Sequence, residues 1–478
     1  MVMTVEERVR EIHRNSMEIL ATTGVRFHHP DAVKVLTEHG VRVEDNVAFF
    51  TEDQIMEWVK KAPATAPVYA DDSRYDLVIG SGKSWNAPCA GATKIMEADG
   101  HVRQANLSDI VKMIKIFEGN PNYSFNGGTP CQPEEIPAPI APVLLHYMAM
   151  NLTKKSLWTA TGTYDQMEAI MQMAMTRYGI SEEEMKEKPR VFTMVNTNTP
   201  LQFDVNMTET LFTYLKYRQP VAITSAAMGG TTAPVTLAGE LSVINAEVIA
   251  AIALAQMYAP GAPVLYGSQS TSSDLSTCSI AIGSPEGALC YKYAKKMAEF
   301  YGIPCRAGGA LSDAKTLNAQ AGYESMLTYL ACREAGVDVI CQSAGIMDGY
   351  LAVSYEKMMV DFEVIAFVNK YTSDFVVDED MLALETIQDV GPAGQYLLEE
   401  HTLEFCREEL CTPMISVRGP KSNALTAFDE NIARQIDKHL ERYETCRLSD
   451  EVNEKLKEQM RDFGIEEKYI EMADSYLK

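Results

Sequence analysis

Apolar positions along this chain follow two alternating rhythms. Short apolar runs bounded by Gly, Pro or Asn alternate with longer stretches in which apolar residues return every three or four positions. The short runs fall at Trp85, Tyr123–Gly127, Ser156–Thr161, Val191–Asn196, Val221–Ser225, Val264–Gly267, Pro304–Ala307 and Val339–Gln342. Most intervals between them carry a helical pattern, among them LSDIVKMIKIFEG, YDQMEAIMQMAMTRYG and AGELSVINAEVIAAIALAQMY, and SYEKMMVDFEVIAFVNKY follows the last. Eight strands, each followed by a helix, predict an α/β fold, a closed (β/α)8 TIM barrel whose strands are buried on both faces. The competing open doubly wound sheet lacks a GxGxxG or GxxxxGK turn after its first strand, which weakens its nucleotide-binding versions.

The flanks follow other patterns. Residues 1–80 predict an N-terminal helical cap and hairpin. VEERVREIHRNSMEILATTG stops at a glycine, TEDQIMEWVKKAP runs from a Thr51 N-cap to Pro63, and hairpin arms follow at Tyr69–Tyr75 and Leu77–Gly80. The catalytic barrel is expected over 81–371. Residues 372–478 form a charged C-terminal helical extension, suited to packing on the barrel or on another subunit.

Composition narrows the partners. A formal net charge of −24 repels a phosphate backbone, so nucleic-acid binding is excluded as a leading function. The ten cysteines form no CxxC pair and fit a reducing, cytoplasmic setting. The N-terminus shows no signal-peptide pattern, and the apolar runs read as too short or interrupted to span a bilayer.

In a barrel of this kind the active site lies at the C-terminal ends of the strands. Those ends place four aromatic candidates, Trp85, Phe125, Trp158 and Tyr266. They also place the polar candidates Asn196, Asn198, Gln269, Arg306, Asp313, Lys315 and Gln342. No histidine falls on this rim. A pocket with aromatic walls and many amides and hydroxyls, in an acidic protein, suits a methylated ammonium ligand. Lys315 leaves open a Schiff-base lyase, and the absence of an evident acid or base leaves open a non-catalytic binding module.

Four segments carry a family resemblance: IPCRAGGALSDAKTLNAQAGYESMLTYLACREAGVDVICQSAG from Ile303, NTNTPLQFD at Asn196–Asp204, AAMGGTTAPVTLAGELSVINAEVIAAIAL at Ala226–Leu254, and GSPEGALC at Gly283–Cys290. Over about Gly24–Gly391 the chain resembles the trimethylamine methyltransferase family. The resemblance implies a TIM barrel that passes a methyl group to the cobalt of a separate small corrinoid-binding protein. Cobalamin then belongs to the partner, and neither it nor a metal is tightly bound to this chain. Founding members carry pyrrolysine near the loop after the seventh strand, whereas Ser312–Glu324 here holds only ordinary residues. That departure implies the branch acting on quaternary amines such as glycine betaine, proline betaine, carnitine or γ-butyrobetaine. A quaternary ammonium leaves as a neutral tertiary amine, so no acid need protonate it, and the protein's task is positioning. The carboxylate of a betaine requires donors, of which Arg306 is foremost. A homo-oligomer without membrane or nucleic-acid partners completes the expectation.

Overall fold

The computed structural model describes residues 3–420 and 427–477. Eight parallel strands form one ring: β1 (Trp85–Asn86), β2 (Phe125–Gly127), β3 (Ser156–Trp158), β4 (Val191–Asn196), β5 (Val221–Ser225), β6 (Val264–Ser268), β7 (Cys305–Gly308) and β8 (Val339–Cys341). β8 pairs with β1, and a parallel bridge between Asn86 and Tyr123, just ahead of β2, closes the barrel. The helices that follow are α1 (Leu107–Glu118), α2 (Ala141–Leu152), α3 (Tyr164–Tyr178), α4 (Val205–Lys216), α5 (Leu237–Tyr258), α6 (Pro285–Tyr301), α7 (Ala319–Ala335) and α8 (Tyr355–Thr372). Local sequence sets their ends. Asn106 and Thr163 start α1 and α3 with capping boxes, and Gly179, Gly302 and Gly336 stop α3, α6 and α7 in the left-handed conformation.

The two-residue period of the strands sorts side chains between two cores. Phe192, Ala222, Leu265, Val339 and Cys341 point into the lumen, where they meet Phe125 and Trp158. Val195, Ile223, Tyr266, Cys305 and Ile340 point outward to the helices. The bottom of the lumen is stopped by an antiparallel hairpin, Ala66–Val68 with Leu77–Ile79, whose Val68, Leu77 and Ile79 join the lumen core. Its first arm lies earlier than the expected Tyr69–Tyr75. The alternating APV segment buries Ala66 and Val68, and Ser73–Tyr75 instead form a 3-10 turn started by Asp72, whose carboxylate accepts the Arg74 N–H at 3.0 Å.

The N-terminal cap is mixed rather than helical throughout. Helices Val5–Thr22, Pro30–Glu38 and Glu52–Val59 are joined by strands Val25–Phe27, Arg42–Glu44 and Val47–Phe49, which form a sheet with Gln202–Phe203 from the loop after β4. Helix α5, at 22 residues, is long and apolar enough by length and composition to cross a membrane, longer than its sequence pattern suggests. It lies instead in the core, between the barrel and the N-terminal helices.

The C-terminal helices Ala427–Glu441, Asp450–Asp462 and Glu467–Leu477 wrap the α8–α1–α2–α3 side of the barrel. Tyr147 on α2 donates to Asp474 at 2.6 Å. The Glu363 carboxylate on α8 accepts the backbone N–H groups of Met414, Ile415 and Ser416 at 2.5, 2.7 and 3.1 Å. Between barrel and appendage, residues 371–410 carry only the short helices Glu379–Leu382, Leu384–Val390 and Glu400–Glu409 and bury little.

Candidate active site

One wall of the barrel mouth is aromatic and self-satisfied. A cavity of about 350 Å³ opens above β2, β3 and β4, lined by Trp158, Thr159, Thr161, Met194 and Asn196, with Gln132 from the loop after β2. The Trp158 indole lies against Gly128, where a Cβ would stand 3.0 Å from the ring and where φ is +71°. Glycine alone suits both conditions. Trp158 meets Phe192 edge-on at 5.1 Å, and Phe125 packs on Phe192 at 5.0 Å. Phe125 is fully buried, so it braces Trp158 from below while Trp158 reaches the cavity.

The β4 side is held by a buried carboxylate. Glu247 on α5 accepts the hydroxyls of Thr197, Ser225 and Thr199 at 2.6, 2.9 and 3.0 Å and the Leu201 N–H at 2.7 Å. Burial raises its pKa, and these four donors oppose the rise. The loop leaving β4 is thereby fixed, with Asn196 exposed at the edge of the mouth.

The opposite wall carries unmet polarity. Arg306 projects from β7, fully buried, and donates from Nη1 to Gln269 Oε1 at 2.5 Å. Its Nε and Nη2 have no partner among the described residues. Gln269 donates in turn to the Tyr350 hydroxyl. A Cβ at Gly308 would stand 2.4 Å from Gln269 Nε2 and 2.9 Å from the Tyr291 ring, so this glycine lets both groups cross the end of β7. The buried hydroxyls of Tyr291 and Thr224 also lack a hydrogen-bond partner among the described residues. Asp313, on the loop after β7, accepts the Gly283 N–H at 2.9 Å through Oδ2, while its buried Oδ1 has no hydrogen-bond partner among the described residues. Burial pushes its pKa up. Tyr350 feels both the Arg306 and the Asp313 charge, so both lie within electrostatic reach of one phenol. A buried charge without a counter-ion costs several kcal/mol, roughly, which marks such groups as functional candidates.

The remaining predicted residues lie elsewhere. Trp85 sits at the closed end: β1 pairs with the first residue of β8, and the indole N–H donates to Val78 O of the bottom hairpin at 3.3 Å. Tyr266 faces the helices, its hydroxyl donating to Asn245 Oδ1 at 3.2 Å. Asn198 is exposed, its backbone paired with Gln202. The Lys315 side chain is 71% exposed and ion-paired with Asp348. Gln342 clamps the backbone of Ala90, accepting its N–H at 2.8 Å and donating to its carbonyl at 3.1 Å. The lumen and its mouth thus hold Phe125, Trp158, Asn196, Gln269, Arg306 and Asp313. They also hold Phe192, Met194 and Tyr291, which strand ends alone do not reveal. Tyr291 comes from helix α6, and its one sequence signal is Gly308, a glycine at the end of a strand where something bulky crosses. Among the described residues no group of three or more His, Cys, Asp or Glu could hold a metal ion.

The pattern that defines the trimethylamine methyltransferase (MTTB) family is matched by residues 1–464. The chain belongs to that family. It is 37% identical to glycine betaine methyltransferase of Desulfitobacterium hafniense (strain Y51), over 87% of this chain and 86% of the relative. Trimethylamine methyltransferase MttB1 of Methanosarcina mazei is 30% identical, over 84% and 82%. Among solved structures it is similar to the crystal structure of the hydroxylamine MtmB complex, at a TM-score of 0.48 and 12% identity, over 96% of this chain and 93% of that one. As a member of this family the protein is a methyltransferase, and the Schiff-base alternative loses its footing. Lys315 is water-exposed and ion-paired, whereas an amine nucleophile of that kind is desolvated. The buried lysines Lys155 and Lys357 are engaged by backbone carbonyls, and Lys357 also by Asp361.

Proposed function

We propose that this member of the trimethylamine methyltransferase family demethylates a zwitterionic quaternary amine, glycine betaine or a relative such as proline betaine, carnitine or γ-butyrobetaine. The methyl acceptor is a corrinoid carried by a separate small protein. The observation that carries this reading is a pair of opposite charges on one wall, fully buried Arg306 and half-buried Asp313, each with buried polar atoms left unmet among the described residues. A betaine is a zwitterion, and each of its ends has a charge to meet. Arg306 Nε and Nη2 form a fork suited to a carboxylate, Asp313 Oδ1 faces the ammonium, and Trp158 offers it a ring. Trimethylamine has no carboxylate and would leave Arg306 unmet. The 37% identity to a glycine betaine methyltransferase points the same way.

When bound, the reduced corrinoid supplies the nucleophile, so the chain's own residues need only hold the substrate with one N-methyl directed out of the mouth. The mouth suits that visitor chemically. Segments 226–236 and 269–284 contain one charged residue, Asp274, and many hydroxyls, matching a macrocycle edged with uncharged amides. Exposed Val235 and Leu275 lie on the same loops.

The test is a panel of the four betaines and trimethylamine, each supplied with the protein and a reduced corrinoid partner, following the absorbance of methylated cobalt. Transfer from at least one betaine, with trimethylamine at least a hundredfold slower, is expected. Turnover of trimethylamine matching the best betaine would refute the reading.

A further inference from the structure

Residues 371–410 expose more large apolar side chains than a lone soluble chain tolerates. Phe375, Val377, Leu384, Leu397, Leu398 and Leu403 are among them, with Leu398 79% exposed. Apolar exposure concentrated in one segment in this way marks an interaction site. The same segment is strongly acidic, with eleven Asp and Glu against one arginine. It is an apolar, anionic arm lying loosely along the barrel, tied near its root by the ion pair of Lys370 with Glu409.

A surface of the opposite character lies on the α6–α7 side, which the C-terminal helices leave bare. Two grooves there share Leu289. One, of about 450 Å³, runs between helix Val5–Thr22 and the starts of α5 and α6, with Leu237, Leu241 and Leu289 as apolar lining and Arg8 and Arg14 at its edge. The other, of about 550 Å³, runs between α6 and α7, with Leu289, Leu327 and Ala331 flanked by Lys292 and Lys296. Of these four cations, Arg14 is paired with Glu11 at 2.5 Å and Lys296 with Glu299 at 2.8 Å. Arg8 reaches only the Tyr293 hydroxyl, at 3.1 Å, and neither it nor Lys292 has an ion-pair partner among the described residues. In a chain of net charge −24 such a cationic apolar strip stands out.

We infer that the arm of one copy docks in the α6–α7 grooves of a second copy, making the protein a two-fold oligomer. Charge and apolar character match on both sides, and neither surface is covered by the described residues of its own chain. Each arm also leaves the barrel beside its own groove, where Arg333 donates to Thr372 at 3.5 Å next to Glu334. A two-fold axis near that edge lets both arms dock at once and closes the assembly, since an isologous contact repeats itself.

The test uses the full chain. Wild-type protein at about 20 μM is expected to sediment as a dimer or a closed multiple of it, with self-association weakened at least tenfold by Leu397→Asp/Leu398→Asp and by Lys292→Glu/Lys296→Glu. A salt increase should weaken it in the same direction, because screening removes the ionic part. The altered side chains are exposed or lie at the groove edge, and circular dichroism checks that the variants remain folded. Independently of any variant, carbodiimide coupling in a mixture of 14N- and 15N-labelled copies should join arm carboxylates to Lys292 or Lys296 in peptides of hybrid isotope mass. A monomeric wild type, association unchanged in the arm variant, or coupled peptides of a single isotope only would each overturn the inference. An arm that stays exposed until a corrinoid protein is added would overturn it too.

Discussion

The two walls of the barrel mouth are built from the same kinds of strand ends and behave in opposite ways. On β2–β4, Phe125, Phe192 and Trp158 satisfy one another, and every donor around Glu247 has its acceptor. On β6–β7, Arg306, Asp313, Tyr291 and the neighbouring Thr224 each keep a buried polar atom unmet among the described residues. A wall complete in itself can be a scaffold, and a wall that is incomplete describes its ligand. The contrast teaches that in a site without an acid, base or nucleophile, function is legible from hydrogen-bonding debts rather than from reactive groups.

The comparison can be broken most decisively at Arg306. Replacement by Met removes the carboxylate fork and an unpaired buried charge together. Betaine affinity should fall by about 2–4 kcal/mol, on the order of a hundredfold in Kd. Thermal stability should hold or rise, because the uncompensated charge is gone. Titration calorimetry and a melting curve on one preparation check both, and a loss of stability without loss of affinity would place Arg306 on the scaffold side.

Asp313→Asn is expected to act less strongly, by about 1–2 kcal/mol of affinity, and to reveal itself through pH. Burial raises the Asp313 pKa, so as pH falls through that raised value the carboxylate becomes neutral and betaine binding weakens. The variant should lack this acid-side loss. Stability has the opposite sign: a carboxyl with a raised folded pKa contributes most below its ordinary value and loses that contribution as pH rises through the folded one. Wild type should therefore gain on the variant in acid.

Trp158→Leu sharpens the comparison from the other wall, with a cost of about 0.5–2 kcal/mol in ammonium binding. Phe192→Leu, one layer beneath, should lower the melting temperature and leave Kd within about twofold of wild type. The smallest effect belongs to Tyr266→Phe. It forfeits the bond to Asn245, worth about 1 kcal/mol of stability, and should leave binding unchanged.

The architecture was legible because it repeats. Eight apolar runs with helical intervals admit few arrangements, and the burial of both strand faces follows from the barrel. The site was legible only to the resolution of a strand end. Tyr266 and Arg306 sit on adjacent strands, but whether a residue faces lumen or helix changes with a single step of register, and sequence gives no purchase on that step. Trp85 misled because its strand is two residues long and the chain runs on through Ala87 before reaching the mouth. Gln342 looked like a free amide, yet its φ of +54° turns it onto the Ala90 backbone. Tyr291 was invisible from strand ends because a helix supplies it.

The hairpin at the bottom of the barrel sets the order of events. With Val68, Leu77 and Ile79 sealing that end, substrate, departing amine and methyl acceptor share one doorway. A partner seated over the mouth shuts in whatever the lumen holds, so the substrate must enter before the partner docks and the amine can leave only after it lifts away. Turnover then passes through a ternary complex in a fixed sequence, and product inhibition should be relieved by dissociation of the partner rather than by a back exit.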